Sequence, residues 1–151
     1  MCQKVDKIVI QKMSQEDVEE VATLEKICFS DPWKRETFME ELQLKLAIPF
    51  VVKLEEKVVG YTCLWYLDDQ LEVANFAVSP DHRSKGIGEK LMKRILLEAK
   101  EKGCKSIVLR VRESNKTAIN LYVKFGFVEV ERRKKYYRLP TEDALTMLRT
   151  L

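Results

Sequence analysis

The sequence predicts an α/β domain built on a mixed central sheet with flanking helices. Short runs rich in β-branched and aromatic residues indicate strands, and they alternate with segments whose apolar residues recur every three or four positions, which indicate helices. Their order is roughly β-α-α-β-β-β-α-β-α-β-β. The 151 residues contain no repeat, no low-complexity stretch and no linker rich in Pro, Gly or Ser. We therefore expect a single domain over residues 1–151.

The first half of the chain is predicted to hold one strand, two helices and a β-hairpin. Ser14 followed by Asp17 resembles a capping box, and Val18, Val21 and Ala22 then begin an apolar helix face. The predicted elements are a strand at 8–12, a first helix that ends at the SDPW turn of 30–33, a second helix at 34–46, and hairpin strands at 48–54 and 58–67.

The second half is predicted to alternate strands and helices. Gly103 and Gly126 each follow a helical pattern and are typical helix stops, and either Ser114 or Asn115 can cap the helix that Gly126 ends. The predicted elements are a strand at 70–78, a helix from Gly86 to about Lys102, a strand at 106–112, a short helix reaching Phe125, a hairpin or long strand pair at 127–138, and a terminal helical turn in EDALTML at 142–148.

Charge is distributed unevenly along the chain. The net charge is +3, but residues 1–75 carry −6 and residues 76–151 carry +9. A basic half suits an anionic ligand, either a phosphorylated cofactor or nucleic acid. Charge runs such as RRKK at 132–135 are equally compatible with a solvated surface.

Cysteine spacing and hydropathy argue against a metal cluster and a membrane span. Cys2, Cys28, Cys63 and Cys104 form no CxxC pair, and the single histidine, His82, cannot complete a metal cluster. The chain has no run of about 18 apolar residues, and its N-terminus has no apolar signal core. We expect a cytoplasmic protein whose cysteines stay reduced.

The stretch RSKGIGEKLM predicts an anion-binding site at a helix start. The first amides of a helix lack partners inside it and carry a partial positive charge. Gly86 and Gly88 would let a large anion approach these amides, and Arg83 and Lys85 would add charge at the rim. A Walker loop is absent, and Leu91 stands where a dinucleotide fingerprint needs its third glycine. A tight strand–helix turn is the alternative reading of the two glycines.

Two motifs in the second half carry a resemblance to a known family. RSKGIG at 83–88 resembles the acetyl-coenzyme A pyrophosphate loop, R-x-x-G-x-G, of the GNAT N-acetyltransferases. SNKTAINLYVKFGF at 114–127 resembles the second signature of that family, SNxxAxxLYxxxGF. FSDPW, the YY pair and EDALTM extend the likeness over nearly the whole chain, which is most similar to the RimI-type ribosomal-protein-alanine N-acetyltransferases.

The resemblance implies a GNAT fold, a mixed central sheet with splayed strands around acetyl-CoA, flanked by helices. The strands around Ala77 and Leu109 would diverge, and pantetheine would lie between them like an extra strand. The residues that the resemblance assigns to acetyl-CoA are Phe76, Ala77 and Val78 on the strand, Arg83, Ser84, Lys85, Gly86, Ile87 and Gly88 in the loop, and Asn115.

The resemblance also implies a general acid, Tyr122. Asn115 and Tyr122 are seven residues apart, so they share one helix face at a separation of about 10 Å. One long ligand could therefore meet Asn115 along its pantetheine arm and Tyr122 at its sulfur, where a phenol can protonate the leaving thiolate. A core tyrosine with a satisfied hydroxyl is the alternative.

The general base is harder to assign. RimI-type enzymes usually carry Glu in the strand segment that here reads LRVR, but this chain has Arg110, which cannot accept a proton. Glu72 is the candidate in its place, directly or through a water, because it precedes the pantetheine-binding residues as the base of GNAT histone acetyltransferases does. Asp31 is a weaker candidate and a common turn residue.

An uncertain base favours an acceptor that needs little help to lose its proton. A peptide α-amine has a pKa of about 7.7–8.0, so at pH 7 deprotonation costs about 1.4 kcal/mol, against about 4.6 kcal/mol for a lysine amine. The resemblance implies a peptide channel with Phe29, Pro32 and Trp33 on one wall and Tyr136 and Tyr137 on the other; aromatic packing on a hairpin is the alternative for the two tyrosines.

The sequence thus predicts an enzyme that acetylates protein N-termini from acetyl-CoA by direct transfer in a ternary complex, with ribosomal protein S18 as the typical target of the branch. A GNAT acting on a small amine or a lysine side chain is the first alternative. A non-enzymatic cofactor-binding or RNA-binding module is the second, although no aromatic-basic nucleic-acid motif is present. No membrane, nucleic-acid or metal partner is expected.

Overall fold

The structure, a computed structural model, describes residues 7–151 and contains one sheet of seven strands in the order β1-β2-β3-β4-β5-β7-β6. Cys2 lies outside the described residues. The elements are β1 (Ile8–Lys12), α1 (Val18–Cys28), α2 (Arg35–Gln43), β2 (Ala47–Leu54), β3 (Lys57–Leu67), β4 (Gln70–Val78), α3 (Ile87–Glu101), β5 (Ser106–Arg112), α4 (Lys116–Lys124), β6 (Val128–Tyr137) and β7 (Glu142–Thr150). Short 3₁₀ turns at Gln15–Asp17 and Pro80–His82 lead into α1 and the glycine loop. The predicted mixed α/β order is confirmed.

The sheet is covered by helices on both faces. Helices α1 and α2 pack on one face, where Val18, Val21 and Phe38 are fully buried against Tyr61 of β3. Helix α3 packs on the other face, where Leu91, Met92, Ile95 and Ala99 are fully buried. Burial of these apolar faces, at about 25 cal/mol per Å², fixes the helices to the sheet.

The only parallel strand pair in the sheet of the described residues is β4 with β5, and it is short. Gln70–Val73 pair with Ser106–Leu109, and the two strands separate after these four residue pairs. Each strand keeps its antiparallel partner on the outer side, β3 for β4 and β7 for β5. The sheet therefore opens as a fork whose inner edges carry unpaired backbone groups.

A β-bulge in β4 lies at this fork. Cys63 of β3 pairs with Asn75 and the next residue, Leu64, pairs with Val73, so Ala74 is the extra residue. The bulge reverses the alternation of side chains along β4. Asn75 therefore faces α1, and the next residue, Phe76, packs on the α3 side.

The end of the chain corrects two sequence predictions. Residues 127–138 are mainly one strand, β6, and not a hairpin by themselves, and EDALTML is strand β7 and not a helical turn. Strand β7 lies between β5 and β6, and its Leu145 and Met147 reach the core. Pairing on both edges outweighs the weak helical pattern of this segment, because tertiary context overrides local propensity.

Helix α2 is shorter than predicted, since it ends at Gln43 and not at residue 46. The carbonyl of Leu46 accepts a hydrogen bond from the amide of Tyr66 at 2.9 Å, so this residue already pairs with β3. Among the described residues, no helix is long and apolar enough to cross a membrane.

Candidate active site

A cleft of about 470 Å³ opens where β4 and β5 diverge. One side is the end of β4, another is the loop that leads into α3, and the third is one face of α4. The residues that line it are Cys28, Phe29, Phe76, Ala77, Val78, His82, Arg83, Ser84, Gly86, Ile87, Gly88, Glu89, Asn115, Thr117, Ala118, Leu121 and Tyr122. Nine of the ten residues that the sequence assigned to the cofactor are in this lining, and Lys85, which is exposed, is not.

The loop before α3 has the geometry of an anion-binding turn. Ser84 and Gly86 both adopt left-handed backbone conformations, with φ of 66° and 80°. Gly86 is the N-cap of α3, so the amides that follow it have no partner inside the helix. A Cβ at Gly88 would lie 3.3 Å from Cδ2 of Leu121 and 3.9 Å from Cγ2 of Val78, so glycine keeps this approach to the helix start free.

Arg83 lies folded against the end of β4. Its Nε donates to the carbonyl oxygen of Val78 at 3.1 Å, and its Nη2 lies 3.8 Å from Sγ of Cys28. Burial raises the pKa of the Cys28 thiol, and the nearby guanidinium partly offsets this effect. For Arg83 to contact an anion in the loop, the guanidinium must turn away from Val78.

Helix α4 presents Asn115 and Tyr122 on its cleft face. The Oδ1 atom of Asn115 accepts the amide of Ala118 at 3.2 Å, which caps the helix, so Asn115 rather than Ser114 is the N-cap. Because the cap uses only Oδ1, the side-chain NH₂ stays available as a donor to a ligand in the cleft.

Tyr122 is buried at the inner end of the cleft, with 5% of its surface exposed. Its ring packs edge-on against Phe76 and tilted against Phe127, with both pairs of centroids 5.9 Å apart. No partner hydrogen-bonds the Tyr122 hydroxyl within residues 7–151. Burial, reinforced by the neighbouring Tyr137, raises the pKa of Tyr122 well above its usual value, so the phenol keeps its proton.

Glu72 and Arg110 form an ion pair at the fork, with Nη1 of Arg110 3.0 Å from Oε2 of Glu72. Both side chains are about three-quarters buried. Oε1 of Glu72 has no hydrogen-bond partner in the described part of the chain, and the same holds for the buried Nε of Arg110. Glu72 stands opposite Trp65 of β3, whose Nε1 binds Glu41 of α2, so the carboxylate lies on the α1–α2 face.

The two predicted walls of a peptide channel come from opposite ends of the chain, and an ion pair joins them. Arg138 donates from Nε to Oδ2 of Asp31 at 2.9 Å and from Nη2 to Oδ1 at 3.3 Å. The hydrogen bonds and charge of Arg138 lower the pKa of Asp31, which makes this carboxylate a poor base. Phe29 reaches the cleft, whereas Trp33 packs on Phe38 at 5.3 Å, and Pro32 is half-buried.

Tyr136 and Tyr137, the residues predicted for the opposite wall, lie at the end of β6. Their rings meet edge to face at 5.0 Å, and the guanidinium of Arg112 lies 4.6 Å from the Tyr137 ring centroid. Burial raises the pKa of Tyr137 to about 12, although Arg112 and Arg110 act in the opposite direction. The Tyr137 hydroxyl is therefore a neutral donor at physiological pH.

The structure adds residues that sequence reasoning missed. Thr117, Ala118 and Leu121 line the cleft, and the spacing of α4 from Asn115 could have indicated them. Glu25 was also missed. It lies one turn after Ala22 on the apolar face of α1 and is 2% exposed. A Glu within the apolar face of a helix indicates a buried carboxylate with specific partners, so the sequence pattern could have identified it.

Comparison with known proteins agrees with this geometry. The model of the Acetyltransferase (GNAT) family matches residues 18–127. A Bacillus subtilis (strain 168) protein with the provisional name ribosomal protein bS18-alanine N-acetyltransferase is 34% identical over 146 residues, 96% of this chain and 97% of that protein. The Escherichia coli (strain K12) protein named ribosomal protein bS18-alanine N-acetyltransferase is 30% identical over 142 residues, 91% and 94% of the two chains. The crystal structure of the ribosomal-protein-S18-alanine N-acetyltransferase from Escherichia coli superposes with a TM-score of 0.88 at 27% identity, covering 95% of this chain and 94% of that one.

Proposed function

The chain belongs to the GNAT family of acetyltransferases, and we propose that it transfers the acetyl group of acetyl-CoA to the N-terminal α-amine of a protein, with the N-terminal alanine of ribosomal protein S18 as the acceptor. The observation that supports this proposal is the cleft at the fork between β4 and β5. The start of α3, whose amides suit a phosphate, and the buried phenol of Tyr122 both line it. The choice of acceptor is based on the names of two relatives that match this chain over more than nine-tenths of its length.

The residues of the cleft fit acetyl-CoA. Gly88 keeps the start of α3 open, and Ser84 and Gly86 turn the loop around it. The side-chain NH₂ of Asn115 has no partner among the described residues and can donate to a ligand. The free edge of β4 at Phe76 and Val78 offers backbone groups to pantetheine, and the Val78 carbonyl becomes available when Arg83 turns away from it. When bound, acetyl-CoA supplies an activated thioester, and the protein contributes orientation and proton transfer.

In this proposal Tyr122 holds a proton at Oη for the departing sulfur, and Glu72 accepts a proton from the attacking amine, directly or through a water. The raised pKa of Tyr122 suits an acid that must stay protonated until the C–S bond breaks. Oε1 of Glu72, which has no partner among residues 7–151, can accept this proton, while Nη1 of Arg110 donates to Oε2. The amine loses one proton, the sulfur gains one, and the acetyl group moves from sulfur to nitrogen.

The acceptor would enter between the wall of Phe29, Pro32 and Trp33 and the wall of Tyr136 and Tyr137, with the Tyr137 hydroxyl donating to the peptide backbone. In this proposal residues 1–151 form one acetyltransferase domain, and the enzyme acts in the cytoplasm, where its ribosomal acceptor is made.

The test is acetyl-CoA turnover against hexapeptides that begin with Ala, Ser, Gly or Met, compared with N-terminally blocked lysine peptides and with spermidine. Turnover that favours a free N-terminal Ala or Ser supports the proposal. Preference for spermidine or for the lysine peptides would replace it with the small-amine or lysine alternative, and coenzyme A binding without any turnover would favour a non-enzymatic role.

A further inference from the structure

Glu25 is a buried carboxylate that neither the cofactor loop nor the proton-transfer groups use. It is 2% exposed and lies on α1, one turn before the helix ends at Cys28. Its Oε1 accepts the hydroxyl of Tyr61 at 2.7 Å and the amide of Asn75 at 3.0 Å, and its Oε2 accepts the backbone amide of Trp33 at 2.9 Å. Its partners in the described chain are all neutral donors, and together they satisfy both oxygens.

These contacts join helix α1 to the loop that follows it, to β3 through Tyr61 and to β4 through Asn75. The side chain fixes the backbone of Trp33 in the loop after α1, and the Glu25 carbonyl accepts the amide of Phe29 at 2.9 Å. The Asn75 contact reaches β4 beside the bulge, one residue before Phe76. One residue thus ties the first wall of the acceptor channel to the strand that borders the cofactor cleft.

We propose that Glu25 is a positioning residue that holds the Phe29–Trp33 wall at its working distance from the reacting groups. This inference rests on the proposed function, since it assigns the wall to the acceptor. Loss of the three hydrogen bonds would let the loop move while the helix and the strand stay in place. A misplacement of about 1 Å distant from the chemistry can cost up to about 100-fold in rate.

Glu41 offers a matched control on the same face of the sheet. It is also buried, at 5% exposure, but within residues 7–151 its carboxylate accepts a hydrogen bond from Nε1 of Trp65 alone and none from the loop or from β4. Removing either carboxylate leaves buried donors unsatisfied and lowers stability. Only removal of Glu25 should also disturb the acceptor wall.

The experiment compares Glu25→Leu and Glu25→Gln with Glu41→Leu and Glu41→Gln, assayed at least 10 °C below the lowest midpoint of thermal unfolding. We expect Glu25→Leu to raise the peptide KM and to lower kcat/KM by about 10- to 100-fold. The Kd of acetyl-CoA should change by less than about threefold, because pairing with β3 and the hydrogen bond from the Thr62 hydroxyl hold β4 independently of Glu25. Glu25→Gln should lower kcat/KM for the peptide by only about threefold, since the side-chain oxygen of Gln can still accept a hydrogen bond from the Trp33 backbone amide. The Glu41 variants should keep the kinetics of the wild type.

A second readout does not depend on activity. Trp33 and Trp65 are the two tryptophans of the chain, so a Trp65→Phe background makes Trp33 the only reporter. The Trp65→Phe parent is itself the control, because this change already breaks the Glu41–Trp65 hydrogen bond. Glu25→Leu should increase iodide quenching of Trp33 above that of this parent. If Glu25→Leu does not fold, the smaller changes decide. Glu25→Gln should raise the peptide KM by about threefold and increase iodide quenching of Trp33, whereas Glu41→Gln should leave the peptide KM unchanged.

Equal losses for the Glu25 and Glu41 variants at equal stability would overturn the proposal and leave Glu25 a structural residue. The proposed function fails separately, by an absence of peptide turnover in the wild type. The quenching comparison would still show whether Glu25 holds the loop.

Discussion

Arg110 and Glu72 meet at 3.0 Å across the point where β5 and β4 stop pairing, since Arg110 follows Leu109, the last paired residue of β5. The ion pair therefore bridges the fork with side chains where the backbone no longer does. In this pair the carboxylate, Glu72, is on β4, and the residue on β5 is the cation Arg110.

We predict that Glu72→Gln lowers kcat for a peptide acceptor by about 100-fold, within the range for removal of a general base. The change keeps the shape of the side chain and its contact with Arg110. Arg110→Gln should cost less, about tenfold, because it removes the partner and keeps the carboxylate. Initial rates at saturating acetyl-CoA measure both effects. Full activity of Glu72→Gln would exclude Glu72 as the base and leave solvent, or a water bound elsewhere, to accept the proton.

We predict that Tyr122→Phe lowers kcat by about 100- to 10,000-fold and leaves the Kd of coenzyme A unchanged within about twofold. Burial raises the pKa of Tyr122 above its usual value of about 10. The protonated form therefore persists through the whole neutral range, and the pH–rate profile should show no falling limb from this group below about pH 10. Isothermal titration with coenzyme A is the control that separates binding from chemistry, and an active Tyr122→Phe enzyme would exclude the phenol as the acid.

The sequence predicted most of what is local and less of what depends on long-range contacts. The Gly86–Gly88 loop and the spacing of Asn115 and Tyr122 follow from short motifs, and the structure places them along one cleft. The strand nature of EDALTML depends on β5 and β6 on either side of it, which no local pattern contains. The Glu72–Arg110 pair likewise joins residues 38 apart in the chain, and its geometry follows from the register of β4 with β5.

We predict that Asn115 has two separable roles, one in helix stability and one in binding. Asn115→Ala should remove the α4 cap, lowering the free energy of unfolding by about 1 kcal/mol, and should also weaken coenzyme A binding. Asn115→Ser keeps an oxygen for the Ala118 amide and loses only the NH₂ donor, so it should bind coenzyme A more weakly at nearly unchanged stability. Thermal unfolding and calorimetric titration of both variants test this, and normal binding by Asn115→Ser would restrict Asn115 to its capping role.

We predict that the Asp31–Arg138 ion pair contributes to peptide affinity rather than to the chemical step. Asp31→Asn and Arg138→Gln should each raise the peptide KM by about three- to tenfold without changing the Kd of acetyl-CoA. Arg138 lowers the pKa of Asp31, so the pair is intact above the ordinary carboxyl pKa of about 3.9 and is lost only as pH falls through the lower folded value. The effect should therefore be constant between pH 6 and 8.

The ionic-strength dependence of the peptide KM completes that test. An exposed pair is screened by salt, so KM of the wild type should rise as salt increases from about 0.05 to 0.5 M, and Asp31→Asn should respond less. The exposed pair between Glu19 and Arg35 on α1 and α2 is the matched control. If Arg35→Gln changes the peptide KM as much as Arg138→Gln does, the effect is general surface charge and not a bridge between the walls.

We predict that Gly88→Ala affects stability and cofactor affinity in opposite directions. Gly88 lies in the first turn of α3, where alanine is favoured over glycine by up to about 1 kcal/mol, and its new methyl group needs only a small shift of the Leu121 side chain. Apo stability should therefore stay equal or rise. The same methyl group lies in the cleft where a diphosphate would meet the helix amides, so coenzyme A binding should weaken by about tenfold or more, equivalent to at least about 1.4 kcal/mol.

Gly86→Ala is the matched control, because its methyl group meets no atom within 4 Å but its φ of 80° is unfavourable for alanine. It should lower apo stability by about 1–2 kcal/mol. Thermal unfolding with and without coenzyme A separates the two effects, since ligand-induced stabilisation falls with affinity. Wild-type stabilisation by coenzyme A in Gly88→Ala would mean that the diphosphate does not approach the start of α3, and the assignment of this cleft to acetyl-CoA would fail with it.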